Sequence, residues 1–140
     1  MPLLTLPGIQ FHSLQKGSPV GQLSELPPHL SIRNWDPLLS DYADTAAIIA
    51  QLDLVISVDT SVAHLAGSLA KPTWVLLCFN SDWRWLLERE DTPYYPTVKL
   101  FRQQHPQQSW ASLMPTIMAE LNSPTSSVST RTSSLIVDSF

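Results

Sequence analysis

The chain has 140 residues, enough for one domain with a real core, and a formal net charge of −4. Its eight Lys and Arg are scattered, which leaves no basic stripe for nucleic acid. The longest apolar runs are strand-length and Met1-Pro2-Leu3-Leu4 lacks a basic start, so no membrane span or signal peptide is expected and the chain reads as cytoplasmic. The single cysteine, Cys78, ends an apolar run with no second thiol and no ligand-spaced partner, and reads as buried filler.

Ile9 to Leu14 alternates apolar with polar residues before a Gly-containing turn, which predicts a strand. Gly17 to Pro28 is rich in Gly, Ser and Pro and predicts loop, with at most a helical turn near Leu23. A short strand follows at Leu30 to Asn34. Asp41 or Asp44 is placed to cap a helix running to Leu52, whose alanines and Ile48-Ile49 suit packing on a sheet. The third strand, Leu54 to Val58, is apolar apart from Ser57, as a central strand should be. In the helix expected from Thr60 to Ala70, Val62, Leu65, Ala66 and Leu69 share one stripe, and a fourth strand spans Thr73 to Cys78.

Further on, Asp82 is placed to cap a short helix in which Trp83, Leu86 and Leu87 form a buried triplet by spacing. Tyr94-Tyr95-Pro96 reads as loop packing before a last strand, Val98 to Phe101. Ser109 opens a final helix with the stripe Trp110, Leu113, Met114, Ile117, Met118 and Leu121, kinked or restarted at Pro115. Ser123 to Ser134 is Ser/Thr-rich, so 123–140 is expected to be a disordered tail, although Leu135-Ile136-Val137 is apolar enough to dock. Strands alternating with helices imply βαβ units with right-handed crossovers. The fold class is therefore α/β, Rossmann-like, with a mainly parallel sheet and helices on both faces.

The chemistry concentrates where the third strand ends. Asp59 closes an apolar run, Thr60 and Ser61 make the turn, and the next helix opens with free N–H groups and its positive dipole end. Such a turn at the carboxyl edge of a doubly wound sheet suits an anion, and a phosphorylated ligand is the first expectation. The plainer alternative is that Thr60 and Ser61 only cap the helix.

The run Asp59-Thr60-Ser61-Val62-Ala63-His64-Leu65-Ala66-Gly67 resembles the Asp-Thr-Gly-x-x-His-Leu-Ala element of the heptosyltransferase-like (family 9 type) glycosyltransferases, which have the two-domain GT-B architecture. Ser13-Leu14-Gln15-Lys16-Gly17, Asp44-Thr45-Ala46 and Asp82-Trp83-Arg84-Trp85-Leu86 are similar, in order, to segments of the branch often fused to tetratricopeptide repeats. In that branch serine is the expected residue at position 61. The likeness runs from about Leu3 to about Leu121. It implies that residues 1–122 are the C-terminal, donor-binding half of such an enzyme, shortened at its start by one strand and one helix. The ligand implied is a nucleotide-sugar donor, with no metal or other cofactor. The implied partners are an N-terminal GT-B half or a tetratricopeptide-repeat protein. A missing first strand would leave an apolar sheet edge, so a homo-oligomer is expected.

By this resemblance Thr60 and Ser61 hold the donor diphosphate, and His64 bonds its ribose or diphosphate; read from its residues alone, His64 is equally open to being satisfied by a neighbouring loop. Donors aimed at the departing phosphate are worth ~3 kcal/mol each. Asp59 would repel a phosphate it faced, so it bonds either sugar hydroxyls or the N–H groups of its own turn. Asp44 and Thr45 either reach the sugar or cap their helix. Gln15 and Lys16 either bind base, sugar and diphosphate or are solvated turn residues. Arg84 or Arg89 is open to clamping phosphate, the alternative being an Arg-Trp cluster that locks this loop to the domain. The acceptor's general base would come from the other half, so the catalytic residues are unknown. The alternative function is a non-catalytic remnant acting as an interaction or scaffolding module. A sugar-nucleotide epimerase of similar architecture finds no acid–base cluster to support it.

Overall fold

The computed structural model describes residues 2–124 and 133–138. Its strands are β1 (Ile9–Ser13), β2 (Ile32–Asn34), β3 (Leu54–Val58), β4 (Thr73–Leu77), β5 (Val98–Arg102) and β6 (Ser133–Asp138). Its α-helices are α1 (Tyr42–Ala50), α2 (Ser61–Ser68) and α3 (Met114–Leu121). All strand pairs are parallel, in one six-stranded sheet of order β2-β1-β6-β3-β4-β5. This is the α/β, Rossmann-like class the alternation predicts.

The period-two pattern of the central strands explains why both faces are covered. Leu54 and Ile56 of β3, with Trp74 and Leu76 of β4, pack with Leu3, Ile117 and Leu121 on one face. Val55 packs with Ile49 of α1 and Val62 of α2 on the other, where Val75 and Leu77 meet Ala63 and Trp85. The steps β2-α1-β3 and β3-α2-β4 advance across the sheet toward β5, whereas β5-α3-β6 goes back. With right-handed crossovers that reversal sends α3 to the opposite face from α1 and α2, as observed. Pro115 lies in the first turn of α3 after a 3-10 segment at Trp110–Leu113, so the helix restarts there.

Four expectations are corrected. The tail is not wholly disordered: Ser133–Asp138 forms β6 inside the sheet, between β1 and β3, and only residues 125–132 and 139–140 of it lie outside the described residues. Doubly wound sheets usually run in the order 3-2-1-4-5-6, so the last strand of this chain stands in the place of a first strand. The gap expected from a missing strand is thereby filled, as backbone pairing favours. Cys78 is exposed, because β4 stops at Leu77. Trp83, Leu86 and Leu87 are exposed while Trp85 is buried, because the 3-10 turn Trp83–Trp85 ends at Leu86 with φ 55° and never builds a helical stripe. Among the described residues no helix is long and apolar enough to cross a membrane.

Candidate functional site

Because every strand runs the same way, the ends of β1 and β3 open on one edge, together with the starts of α1 and α2. Connections diverge from the middle of the sheet, β1 and β2 to one side and β4 and β5 to the other. Such a switch point is where open α/β sheets form their ligand crevice.

Thr60 takes the N-cap position of α2 in an extended conformation (φ −130°, ψ 172°), but no side chain caps the helix. Its hydroxyl lies 3.0 Å from Ser57 Oγ, and the Ser57 hydroxyl donates to Val58 O at 2.8 Å. The Thr60 side chain makes no cap hydrogen bond to the first turn of α2, and the Ala63 N–H donates to Thr60 O at 3.1 Å.

A cleft of about 400 Å³ opens there, lined by Leu14, Lys16, Tyr42, Thr45, Thr60 and Ser61, with Ser40, Asp41 and Val62 completing it. Lys16 comes from the end of β1 and donates to Leu39 O from its ammonium, which leaves two further N–H donors. Thr45 donates to Asp41 O at 3.2 Å. Asp41 caps α1 by accepting the Asp44 N–H at 3.0 Å, and Asp44 Oδ2 accepts the Ser40 N–H at 2.8 Å. These reciprocal bonds occupy the Asp44 carboxylate in the helix start and keep it off the cleft wall. Gln15 is 6 % exposed, and its buried Oε1 has no hydrogen-bond partner.

On the other flank of α2 a pocket of about 500 Å³ is lined by His64, Trp83, Arg84, Trp85, Tyr94 and Tyr95. His64 stacks on Trp85 with ring centres 5.0 Å apart and places Nδ1 3.0 Å from the Tyr95 hydroxyl. Its Nε2 lies 3.6 Å from Asp59 Oδ1, beyond hydrogen-bond distance. Arg84 pairs with Asp82 at 2.9 Å and lies over the Trp83 ring at 5.0 Å. The Arg84 backbone N–H, ahead of its guanidinium, holds the Asp82 carboxyl below the usual carboxylate range. The Trp85 Nε1–H is buried without an acceptor.

Of the residues singled out from the sequence, Lys16, Thr45, Thr60 and Ser61 therefore meet in one cleft, whereas Asp59, His64 and Arg84 gather on the far side of α2. Asp44 belongs to the cap, and Gln15, although it stands between Leu14 and Lys16 in sequence, is buried and does not line the cleft. Sequence reasoning missed the roles of Trp85 and Tyr95 in fixing His64. One signal pointed to them: Gly67 sits inside α2, where glycine costs ~1 kcal/mol relative to alanine, and a Cβ there would lie 2.6 Å from the Tyr95 ring.

No family model matches the chain, and no solved structure matches it. Over 104 residues, 71% of this chain, it is 34% identical to Protein FlbA of Caulobacter vibrioides. The chain spans only 17% of that relative's length.

Proposed function

We propose that the chain is the donor-binding domain of a glycosyltransferase, which holds the diphosphate of a nucleotide sugar at the start of α2. The observation that carries this reading is the meeting, in one cleft, of an α2 N-terminus with no side-chain cap, the Lys16 ammonium and the Thr45 and Ser61 side chains. Breaking the sugar–phosphate bond puts negative charge on the departing diphosphate. Backbone N–H groups, a helix dipole and an ammonium fixed in advance stabilise that charge most as it develops. The aromatic pocket beside it suits a planar base or a sugar face, with His64 oriented by Tyr95 and Trp85 to hydrogen-bond the ribose or diphosphate. Sugar transfer then needs an acceptor-binding half, or a repeat protein presenting the acceptor. This reading places the work in the cytoplasm.

A second reading, an interaction module without catalysis, is supported by Trp83, Leu87 and Tyr94, which are 69%, 76% and 56% exposed. A thermal-shift survey with UDP, GDP, ADP and their sugars separates the two. A rise with one nucleotide series supports donor binding and names its class. No rise with any of them, at millimolar ligand, leaves the interaction module.

A further inference from the structure

We infer that the cavity beneath the end of α1, where His12 and Arg33 meet, binds a small organic carboxylate. The site is separate from the cleft at α2 and does not depend on what that cleft holds.

His12 of β1 and Arg33 of β2 are register partners, so both side chains stand on the same face of the sheet. With Trp35, Ile48, Gln51 and Leu52 they line a cavity of about 240 Å³. Trp35 organises its polar end. An indole N–H can only donate, and this one reaches His12 Nδ1 at 2.9 Å, so the neutral imidazole keeps its proton on Nε2. The two rings lie within 12° of parallel with centres 6.0 Å apart, and the Arg33 guanidinium carbon stands 4.2 Å over the centre of the Trp35 ring.

His12 is 6% exposed, and its Nε2 is buried with no hydrogen-bond partner. Buried donors are nearly always satisfied, so an orphaned one in a cavity-lining side chain marks a place for an acceptor atom. The neighbouring polar groups bring further donors. Arg33 is exposed, and among the described residues no carboxylate lies within ion-pair distance of it. The Gln51 amide nitrogen donates to Ala47 O at 3.1 Å and carries a second N–H. No acidic side chain lines the cavity.

Such a wall selects an oxyanion, and the charge decides which kind. Burial first, and Arg33 second, hold the His12 pKa below 6.5, so Arg33 is the single formal cation at pH 7. A carboxylate monoanion balances it, whereas a phosphate monoester carries a charge of about −1.5 to −2. The planar carboxylate also matches the guanidinium fork. Trp35, Ile48 and Leu52 give the rest of the wall an apolar surface, which calls for a carbon body on the ligand. That body is small, because the volume falls below the roughly 300–1,000 Å³ of drug-sized sites.

The test is an NMR titration of the full chain at about pH 7.5, where an ordinary histidine is neutral. Hexanoate and benzoate are the probes, hexanamide and benzamide their uncharged matches, and inorganic phosphate a separate arm. The His12 ring signals are identified by their proximity to the Trp35 indole proton. Saturable shifts at His12 with millimolar carboxylate are expected, weakened by about tenfold or more in Arg33→Gln and in the amides. Arg33 is exposed, and the backbone spectrum of the variant shows whether the fold is kept. No saturable shift at His12 with either carboxylate, at tens of millimolar, overturns the inference. Amides that bind as tightly, or an Arg33→Gln variant of unchanged affinity, overturn it as an anion site. Phosphate that saturates the site where both carboxylates fail overturns the choice of carboxylate. Nucleotide binding at α2 is measured apart from all of these, so either reading can fail without the other.

Discussion

Thr60 turns its hydroxyl back to Ser57, and this one rotation decides how the start of α2 can be used. A side-chain cap would have accepted one of the first N–H groups; Thr60 makes none, and the Ala63 N–H donates to Thr60 O instead. Ser61 is the residue on which to test it. Proline at the first helical position keeps the helix, and Thr60 already holds the extended conformation a residue before proline prefers. Ser61→Ala removes one hydroxyl and is expected to weaken nucleotide binding by ~1 kcal/mol, about fivefold. Ser61→Pro also removes an N–H and fills the approach, with an expected loss of about thirtyfold or more, ~2 kcal/mol. Calorimetric titration of both, with unchanged melting temperature, checks this. Wild-type affinity in the two variants would reduce the helix start to a structural feature. Elsewhere, His12 accepts the Trp35 indole N–H at Nδ1, 2.9 Å away, so the neutral ring carries its proton on Nε2. Burial first, and Arg33 second, push its pKa below the ordinary 6.5. The unfolded ring therefore binds its proton more readily than the folded one. Stability from this group is fully present above pH 6.5 and is lost as pH falls from there toward the lowered folded value. His12→Asn, which keeps an acceptor for Trp35, is expected to melt lower at neutral pH yet to lose less than wild type on acidification from about pH 7.5 to about pH 5.5.

Element by element, the strands and helices that alternate from Ile9 to Leu121 were legible because each carries its own period and its own punctuation. Asp41 caps α1 as its position before an alanine-rich helix implies, and β3 is central as its apolar run implies. β6 was not legible. A Ser/Thr-rich stretch with three apolar residues has no strand pattern of its own, and its place comes from the unfilled ladder groups of β1 and β3. The buried triplet expected of Trp83, Leu86 and Leu87 failed, and Trp85 was overlooked, for a related reason. Helical spacing was applied to a segment that makes a single 3-10 turn, and the burial of Trp85 comes from Ala63, Val75 and Leu77 across the chain. The packing of α2 against the Tyr95 loop gives a prediction at this scale. Gly67→Ala puts a methyl group where the Tyr95 ring stands, 2.6 Å from its Cγ. Overpacking of this kind costs about 1–3 kcal/mol, and a ring that moves releases the His64 Nδ1 contact. The expected outcome is a lower melting temperature together with an altered aromatic pocket, read from tryptophan fluorescence. Unchanged melting and fluorescence would mean that the contact is slack.

Across the whole molecule, the sequence pointed to the start of α2 but not to the division by α2 of the residues around it into a polar cleft and an aromatic pocket. Lys16 and Ser61 are 45 positions apart in the numbering, and the topology, not any local pattern, brings them together. The division matters for the proposed sugar transfer. In the cleft the carboxylate on the wall is Asp41, which already accepts the Asp44 N–H, and the cation Lys16 has no proton to take up. His64, which could accept one, belongs to the other pocket, where Tyr95 and Trp85 hold it. The one carboxylate that lines the cleft is thus engaged at Oδ1 as a helix cap, and on the proposed function the acceptor's base is expected from the other half. The purified chain is expected to bind its nucleotide and to transfer no sugar, as read by a product assay on UDP-, GDP- and ADP-sugars with candidate acceptors. Transfer that survives repurification and is abolished by His64→Gln or Asp59→Asn would reverse this. It would mean that α2 moves to bring the His64–Asp59 pair to the acceptor, and that the base is carried within these 140 residues.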